Sequence, residues 1–241
     1  MGGTRPGMGE WEVESLLESA FRRGGARGPA FPTIVGSGGN ACTLHYSANE
    51  CTLDAGELVL LDGGAEVDLY SGDLTRTYPC DGTFSQRQRG VYEMVLRARE
   101  AALAAARPGE PVAGIHQAGV EALTQGLVEL GVLKGDSLEL ARGKAYEPYF
   151  PHQTSHWLGL DVHDVGDYAR DGQARILEAG MVLTIEPGLY FPIGAETPPS
   201  SYSGVGVRIE DDILVTEEGA EVLTESLPVA PSEVEELVGD G

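Results

Sequence analysis

Basic residues are scarce in this chain of 241 residues. Lysine and arginine together number 16 against 38 aspartates and glutamates, a formal net charge of −22 at pH 7. Nucleic acid and anionic membrane surfaces would both repel such a molecule, so neither is expected as a partner. Cysteine is also rare. Cys42, Cys51 and Cys80 are odd in number and match no zinc or redox spacing. They read as small hydrophobes in a reducing compartment. No apolar run approaches the ~20 residues that a membrane span needs. No charged start followed by an apolar stretch is present, so no signal peptide is expected and the cytoplasm is the default. Apolar content, at 41%, is ordinary for a globular chain of one large domain.

What is present divides into a few elements. Residues 9–23 carry apolar side chains at helical spacing (Trp11, Val13, Leu16, Leu17, Phe21) and end at Gly24-Gly25. Residues 85–106 read as a long helix with Ser85 as N-cap and Pro108-Gly109 as the stop, and a second helix is expected over 112–130. Residues 57–62 read as a strand. Gly63-Gly64 follow, then an extended run from Ala65 to Tyr78, together a hairpin or short meander. Residues 181–186 and 206–215 read as buried strands, and 29–46 as loop with short strands. Residues 150–166 are too broken by Pro, Gly and His for a long helix. Residues 195–204 read as a surface loop and 232–241 as a short terminal helix or a frayed end. Strands and helices mix without βαβ alternation, which favours an α+β arrangement over a doubly wound sheet.

Most of the acidic residues are a solvated surface. A few sit in apolar surroundings instead, where an unpaired carboxylate is costly. Asp62 closes LVLLD, Glu186 closes MVLTIE, and Glu210 interrupts VGVRIEDDILV. Taken singly, Asp62 could be a turn aspartate before Gly-Gly, and Asp73 a partner of Arg76. Three of the five histidines, His152, His156 and His163, fall within twelve residues, a density that points to a site. His116 lies on an amphipathic helix and receives no role. Four carboxylates and one imidazole suit borderline-hard divalent ions that also hold water. Such ions make hydroxide available at neutral pH, so the pattern points to hydrolysis.

The motifs LVLLDGGAEVDLYSGDLTRTYP (58–79), PHQTSHWLGLDVHDVG (151–166), GMVLTIEPGLYF (180–191) and GVGVRIEDDILVT (204–216) resemble the pita-bread metallopeptidases, and within them aminopeptidase P (Xaa-Pro aminopeptidase). The resemblance runs from about Arg5 to about Leu223 and includes TIVGSGGNACTLHYSANE (33–50). It implies a curved, mostly antiparallel sheet covered by helices, and two divalent ions, manganese first, with cobalt or zinc as substitutes. It implies that Asp62 chelates one metal, that His156 and Glu186 hold the other, and that Asp73 and Glu210 bridge them. His45 would lie near the scissile nitrogen or the substrate amine. His163 would stabilise the developing oxyanion, and Glu186 would also move a proton. His152 would form the proline pocket, with Tyr190 as its wall and Arg208 supporting the ligands. The implied substrate is a peptide with proline in second position, and a homo-oligomer is possible.

Relatives of this type carry a separate N-terminal creatinase-like domain. The expectation here is a single catalytic domain, 1–241, without it. Gln153-Thr154 stand where small or apolar residues are frequent. Prolidase, restricted to dipeptides ending in proline, shares the ligand set, and a metal-free peptide-binding pseudoenzyme would share the fold. Methionine aminopeptidase shares the ligand logic, but HWLGLDVHD and GVRIED resemble it less. Cleavage of Xaa-Pro-Xaa tripeptides separates the first alternative, and a metal assay the second.

Overall fold

The computed structural model describes residues 1–194 and 200–239. In chain order the elements are α1 (Glu10–Arg23), β1 (Gly28–Pro29), β2 (Ile34–Ser37), β3 (Leu58–Asp62), β4 (Ala65–Val67), β5 (Tyr70–Ser71), β6 (Thr75–Pro79), α2 (Gln86–Ala105), α3 (Val112–Glu129), α4 (Ser137–Arg142), β7 (Ala169–Arg170), β8 (Gln173–Ala174), β9 (Val182–Ile185), β10 (Gly188–Phe191), β11 (Val205–Arg208), β12 (Asp211–Thr216), β13 (Gly219–Val222) and α5 (Pro231–Gly239). Every strand pair among the described residues is antiparallel. The helices begin and end where their sequence says. Ser85 caps α2 reciprocally, its Oγ accepting from Gln88 N–H at 3.3 Å and its N–H donating to Gln88 Oε1 at 2.8 Å. α1 places Glu10 and Glu12 in its first turn and Arg22 and Arg23 in its last, in step with the helix dipole.

Two long bent hairpins position the site. In the first, β3 pairs β6 and β4 pairs β5 in one continuous register. Gly63-Gly64 are therefore not the turn. They pass straight through a break in the ladder, and the turn lies at Asp68-Leu69, both with positive φ (50° and 73°), as a tight two-residue hairpin demands. In the second, Ile185 pairs Asp211 and Gly188 pairs Arg208 in one register, which leaves Glu186 opposite Glu210 in another break. The expected single strand over 206–215 is thus two strands. The chain leaves β10 as partner at Arg208 and takes β9 at Asp211, because Pro187 on the facing strand has no N–H to continue the ladder.

The hairpins meet along β6 and β11, where Glu210 N–H donates to Thr75 O at 3.0 Å and Thr77 Oγ1 donates to Arg208 O at 2.9 Å. Residues 154–158 run beside β9 as an irregular strand: Glu186 N–H donates to Thr154 O (2.8 Å) and Thr184 N–H to His156 O (3.0 Å). α2 and α3 cover the sheet. Val91, Val95 and Ala98 of α2 and Leu123 and Leu127 of α3 are buried in one apolar cluster with Val35, Val59 and Phe191. A second cluster joins Ala102 and Ile115 to Leu183, Ile185 and Ile213. The pattern reading did not find the short helix α4, the hairpin β7–β8, β10 as a strand, or β13. Of the expected loop 195–204, residues 195–199 lie outside the described residues and 200–202 form a 3-10 turn. Of the expected terminal helix, Asp240 and Gly241 lie outside them. Among the described residues no helix is long and apolar enough to cross a membrane.

Glu10 of α1 ties several segments together. It is buried, and its carboxylate accepts from Ser37 N–H (2.8 Å), Ser37 Oγ (2.7 Å), Asn40 Nδ2 (3.1 Å), Tyr46 O–H (2.7 Å) and Cys51 N–H (2.9 Å). One side chain of α1 thereby fastens both ends of the loop that carries His45.

Candidate metal centre

Both hairpin breaks deliver carboxylates to one cavity of about 860 Å³. In the first, Asp62 ends β3 and Asp73 faces Gly64 across the gap. The two chains approach so closely there that a Cβ on Gly64 would stand 1.6 Å from the Gly72 carbonyl oxygen. This is the reason for glycine at that point. In the second, Glu186 and Glu210 face each other. His156 enters from the irregular strand beside β9. Its Nδ1–H donates to the Trp157 carbonyl at 3.0 Å, which leaves Nε2 as the lone-pair nitrogen. That Nε2 lies 3.4 Å from Asp73 Oδ2 and 3.6 Å from Glu186 Oε1. Ligand atoms of Asp73, His156 and Glu210 all fall within 4.8 Å of one another.

The surrounding hydrogen bonds orient these groups. Arg208 Nη2 donates to Asp62 Oδ2 at 2.6 Å, and its Nε donates to Thr75 Oγ1 at 3.0 Å. The Thr75 hydroxyl in turn donates to Glu210 Oε2 at 2.6 Å. Asp73 N–H donates to Asp212 Oδ2 at 3.1 Å. Asp62 Oδ1 is buried with no partner among the described residues. Burial pushes Asp62 up to about 6 although Arg208 pulls the other way, and pushes Glu186 up to about 8 against the pull of His156. Glu210 is driven well above the usual carboxylate range by burial and then by the charge of Asp73. Asp212 rises to about 7, again through burial. For His156, burial works downward, but the Asp73 hydrogen bond and the Glu186 charge more than offset it and raise it. Carboxylates crowded in this way need positive charge beyond what one arginine supplies. An unpartnered carboxylate oxygen, hard oxygen donors and a lone-pair imidazole fit divalent metal ions.

All five expected ligands line this cavity, as do His45, His152, His163 and Arg208. His163 packs edge-on to His156, ring centroids 4.3 Å apart. Tyr190 does not line the cavity. It stands behind the wall, fully packed, where Arg208 Nη1 donates to its oxygen at 3.0 Å and its O–H donates to His152 Nε2 at 2.9 Å. Expected as a pocket wall, it stands here as a link between His152 and Arg208, both of which line the cavity. Burial, with Arg208 adding to it, pulls His152 down to about 3, so it stays neutral. Arg76 pairs with Asp211, not with Asp73. Sequence reading missed Asp212 and Thr75, and it gave no role to His116, which lines the cavity and meets Thr154 Oγ1 at 3.0 Å through Nδ1. The alternation of Glu210 and Asp212 on one strand was the available signal for the first. The cavity lining also includes the apolar residues Phe31, Pro32, Ile34 and Leu44, and Val112 and Ala113 of α3.

Fold and donor set together define a metal-binding domain of the pita-bread type, with a curved antiparallel sheet backed by helices. The chain belongs to metallopeptidase family M24, whose family description matches residues 1–217. It is 51% identical over 234 residues to the Xaa-Pro aminopeptidase of Escherichia coli K12, covering 97% of this chain and 53% of that protein. Against the Xaa-Pro aminopeptidase of Haemophilus influenzae it is 47% identical, covering 98% and 54%. Among solved structures, Pseudomonas aeruginosa aminopeptidase PepP superposes with a TM-score of 0.96 at 46% identity, covering 98% of this chain and 53% of that one. An Escherichia coli aminopeptidase P in complex with substrate gives 0.93 at 51% identity, with 98% and 53% covered. The chain spans about half the length of the curated relatives it matches.

Proposed function

We propose that this chain is the catalytic domain of a metal-dependent aminopeptidase that removes the N-terminal residue from peptides with proline in second position. The observation that carries the reading is one cavity into which four carboxylates, His156, His45, His152 and His163 all project. The identity to Xaa-Pro aminopeptidases over nearly the whole chain supports it. Asp62, Asp73, His156, Glu186 and Glu210 would hold a pair of divalent ions, manganese first given the oxygen-rich set. Such a pair supplies Lewis acidity and water activated near neutral pH.

The chain's own side chains do the rest. His163, on the rim, donates to the carbonyl oxygen of the residue before proline as charge develops on it. Glu186 carries a proton from the attacking water toward the leaving proline nitrogen. His152, held neutral and fixed by Tyr190 and Arg208, presents a ring face to the pyrrolidine. The acidic floor attracts the free α-amine, and His45 lies where it guides that end. An imide nitrogen has no hydrogen to offer as an anchor, so a shaped pocket replaces it. We also propose that residues 1–241 fold as a single domain, since both apolar clusters border the same cavity.

The test is elemental analysis after manganese loading and desalting, paired with hydrolysis of Xaa-Pro-Xaa tripeptides. About two ions per chain and tripeptide cleavage are expected, the first from the size of the donor set. Cleavage of Xaa-Pro dipeptides alone would make it a prolidase. Failure to retain metal would leave a peptide-binding domain without chemistry.

A further inference from the structure

Glu210 stands opposite Glu186, and its main-chain polar groups take no partner from β9 or β10. Its N–H and carbonyl both face β6. There the Thr75 carbonyl accepts the N–H at 3.0 Å, but the Glu210 carbonyl meets a side chain instead of a main-chain donor: Arg76 Nη1, at 2.6 Å. Arg76 is buried, 3% exposed. The rest of its guanidinium is anchored as well. Nη1 also donates to Thr75 O (3.0 Å), Nη2 to Asp211 Oδ1 (2.7 Å) and Leu227 O (3.1 Å), and Nε to Pro228 O (3.1 Å). All five N–H groups are used, and a planar fork so committed has no freedom to move. Asp211 is itself fixed from two further sides, by Arg99 Nε of α2 at 2.5 Å and by the Thr224 hydroxyl at 2.6 Å.

We propose that Arg76 is a positioning residue for the metal centre, acting through the main chain of Glu210. It supplies the donor that the β6 main chain does not, and transfers the rigidity of α2 and of the 224–228 segment to the carboxylate that faces Asp73. This rests on the metal-centre reading above. Lysine at position 76 keeps the charge beside Asp211 but has three N–H groups on a single nitrogen. It cannot serve Asp211 and the Glu210 carbonyl in the same geometry.

The test compares Arg76→Lys with Arg99→Lys. Both weaken the pairing of Asp211, but only Arg76 touches Glu210. Each purified chain is stripped of metal and titrated with Mn²⁺ by calorimetry, and thermal unfolding of the stripped chains is recorded alongside. For Arg76→Lys the weaker of the two Mn²⁺ affinities should fall about 10–100-fold, the usual cost of losing a group that orients a ligand. KM for a Xaa-Pro-Xaa peptide should hold while kcat at fixed Mn²⁺ falls. For Arg99→Lys, with comparable loss of thermal stability, Mn²⁺ affinity should be unchanged. If Arg76→Lys binds Mn²⁺ like the parent, or if the two variants lose affinity in proportion to stability, Arg76 is only a structural residue and the proposal fails. Should Arg76→Lys not fold, Arg76→Gln is read in the same way, and failure of both under conditions where Arg99→Lys folds also overturns it. A parent chain that takes up no Mn²⁺ overturns the metal centre itself, which is a different outcome from any of these.

Discussion

His163 and Glu10 show how differently two side chains can serve one site. His163 reaches the cavity from an irregular loop and packs on His156, and the proposed function makes it a donor to substrate and not a ligand. His163→Ala should therefore keep its metal and lose roughly 10²–10³-fold in kcat, the size of one transition-state donor. Elemental analysis beside steady-state kinetics checks this, and loss of metal, or a change in KM alone, would remove His163 from that role. Glu10 never touches the cavity. Burial alone would push its carboxyl up, but the donors from Ser37, Cys51 and Tyr46 prevail and hold it below the usual carboxylate range. Its stabilising contribution is thus present above the unfolded value near 4.5 and disappears as pH falls through the lower folded value, because the unfolded chain takes up the proton first. Denaturant midpoints followed from pH 7 down through 4 should fall more steeply for the parent than for Glu10→Gln, which starts lower and cannot titrate there.

At the scale of elements, the hairpin breaks are where sequence reading singled out the side chains and missed the path of the chain. Asp62, Asp73, Glu186 and Glu210 stood out because carboxylates interrupt apolar runs, and the structure brings all four together. The breaks themselves were not legible. Gly63-Gly64 resembles a turn, and only the register shared by β3–β6 and β4–β5 moves the turn to Asp68-Leu69. VGVRIEDDILV reads as one strand because local pattern says nothing of a change of partner. The short strands β7, β8, β10 and β13 fell below the length at which periodicity can be seen. Tyr190 and Thr75 act through partners far away in sequence, and no spacing rule reaches that far. The break makes its own prediction. Gly64→Ala puts a methyl into the Gly72 carbonyl, so one strand must shift and carry Asp73 with it. A destabilisation at or beyond the ~1–3 kcal/mol typical of overpacking is expected, together with weakened Mn²⁺ binding. Urea unfolding and metal titration read the two effects, and near-parental values for both would mean that the gap tolerates a side chain.

The whole molecule carries its −22 charge beyond the metal centre. With two divalent ions bound it remains strongly negative, so peptides of opposite charge should be drawn in over distances set by the Debye length, about 10 Å at 0.1 M salt. For Arg-Pro-Lys-type substrates kcat/KM should fall as salt rises, and for Glu-Pro-Asp-type substrates it should rise. Slopes of the same sign for both would show that steering plays no part.

The two bent hairpins have one more consequence. Each is assembled from residues close together in the chain, the first complete by Pro79 and the second beginning only at Val182. Arg208 to Asp62, Thr75 to Glu210 and Arg76 to Asp211 are polar bonds across the junction between them. The exposed link at 134–136 lies between the two halves. Cut there, the chain would become a pair of fragments whose reunion is read out by the centre they share. Manganese, binding only the joined form, should lower the concentration at which the fragments associate, by the mass-action rule that governs any ligand of one state alone. The ions would then be seen as the solder of the molecule as well as the tool it works with.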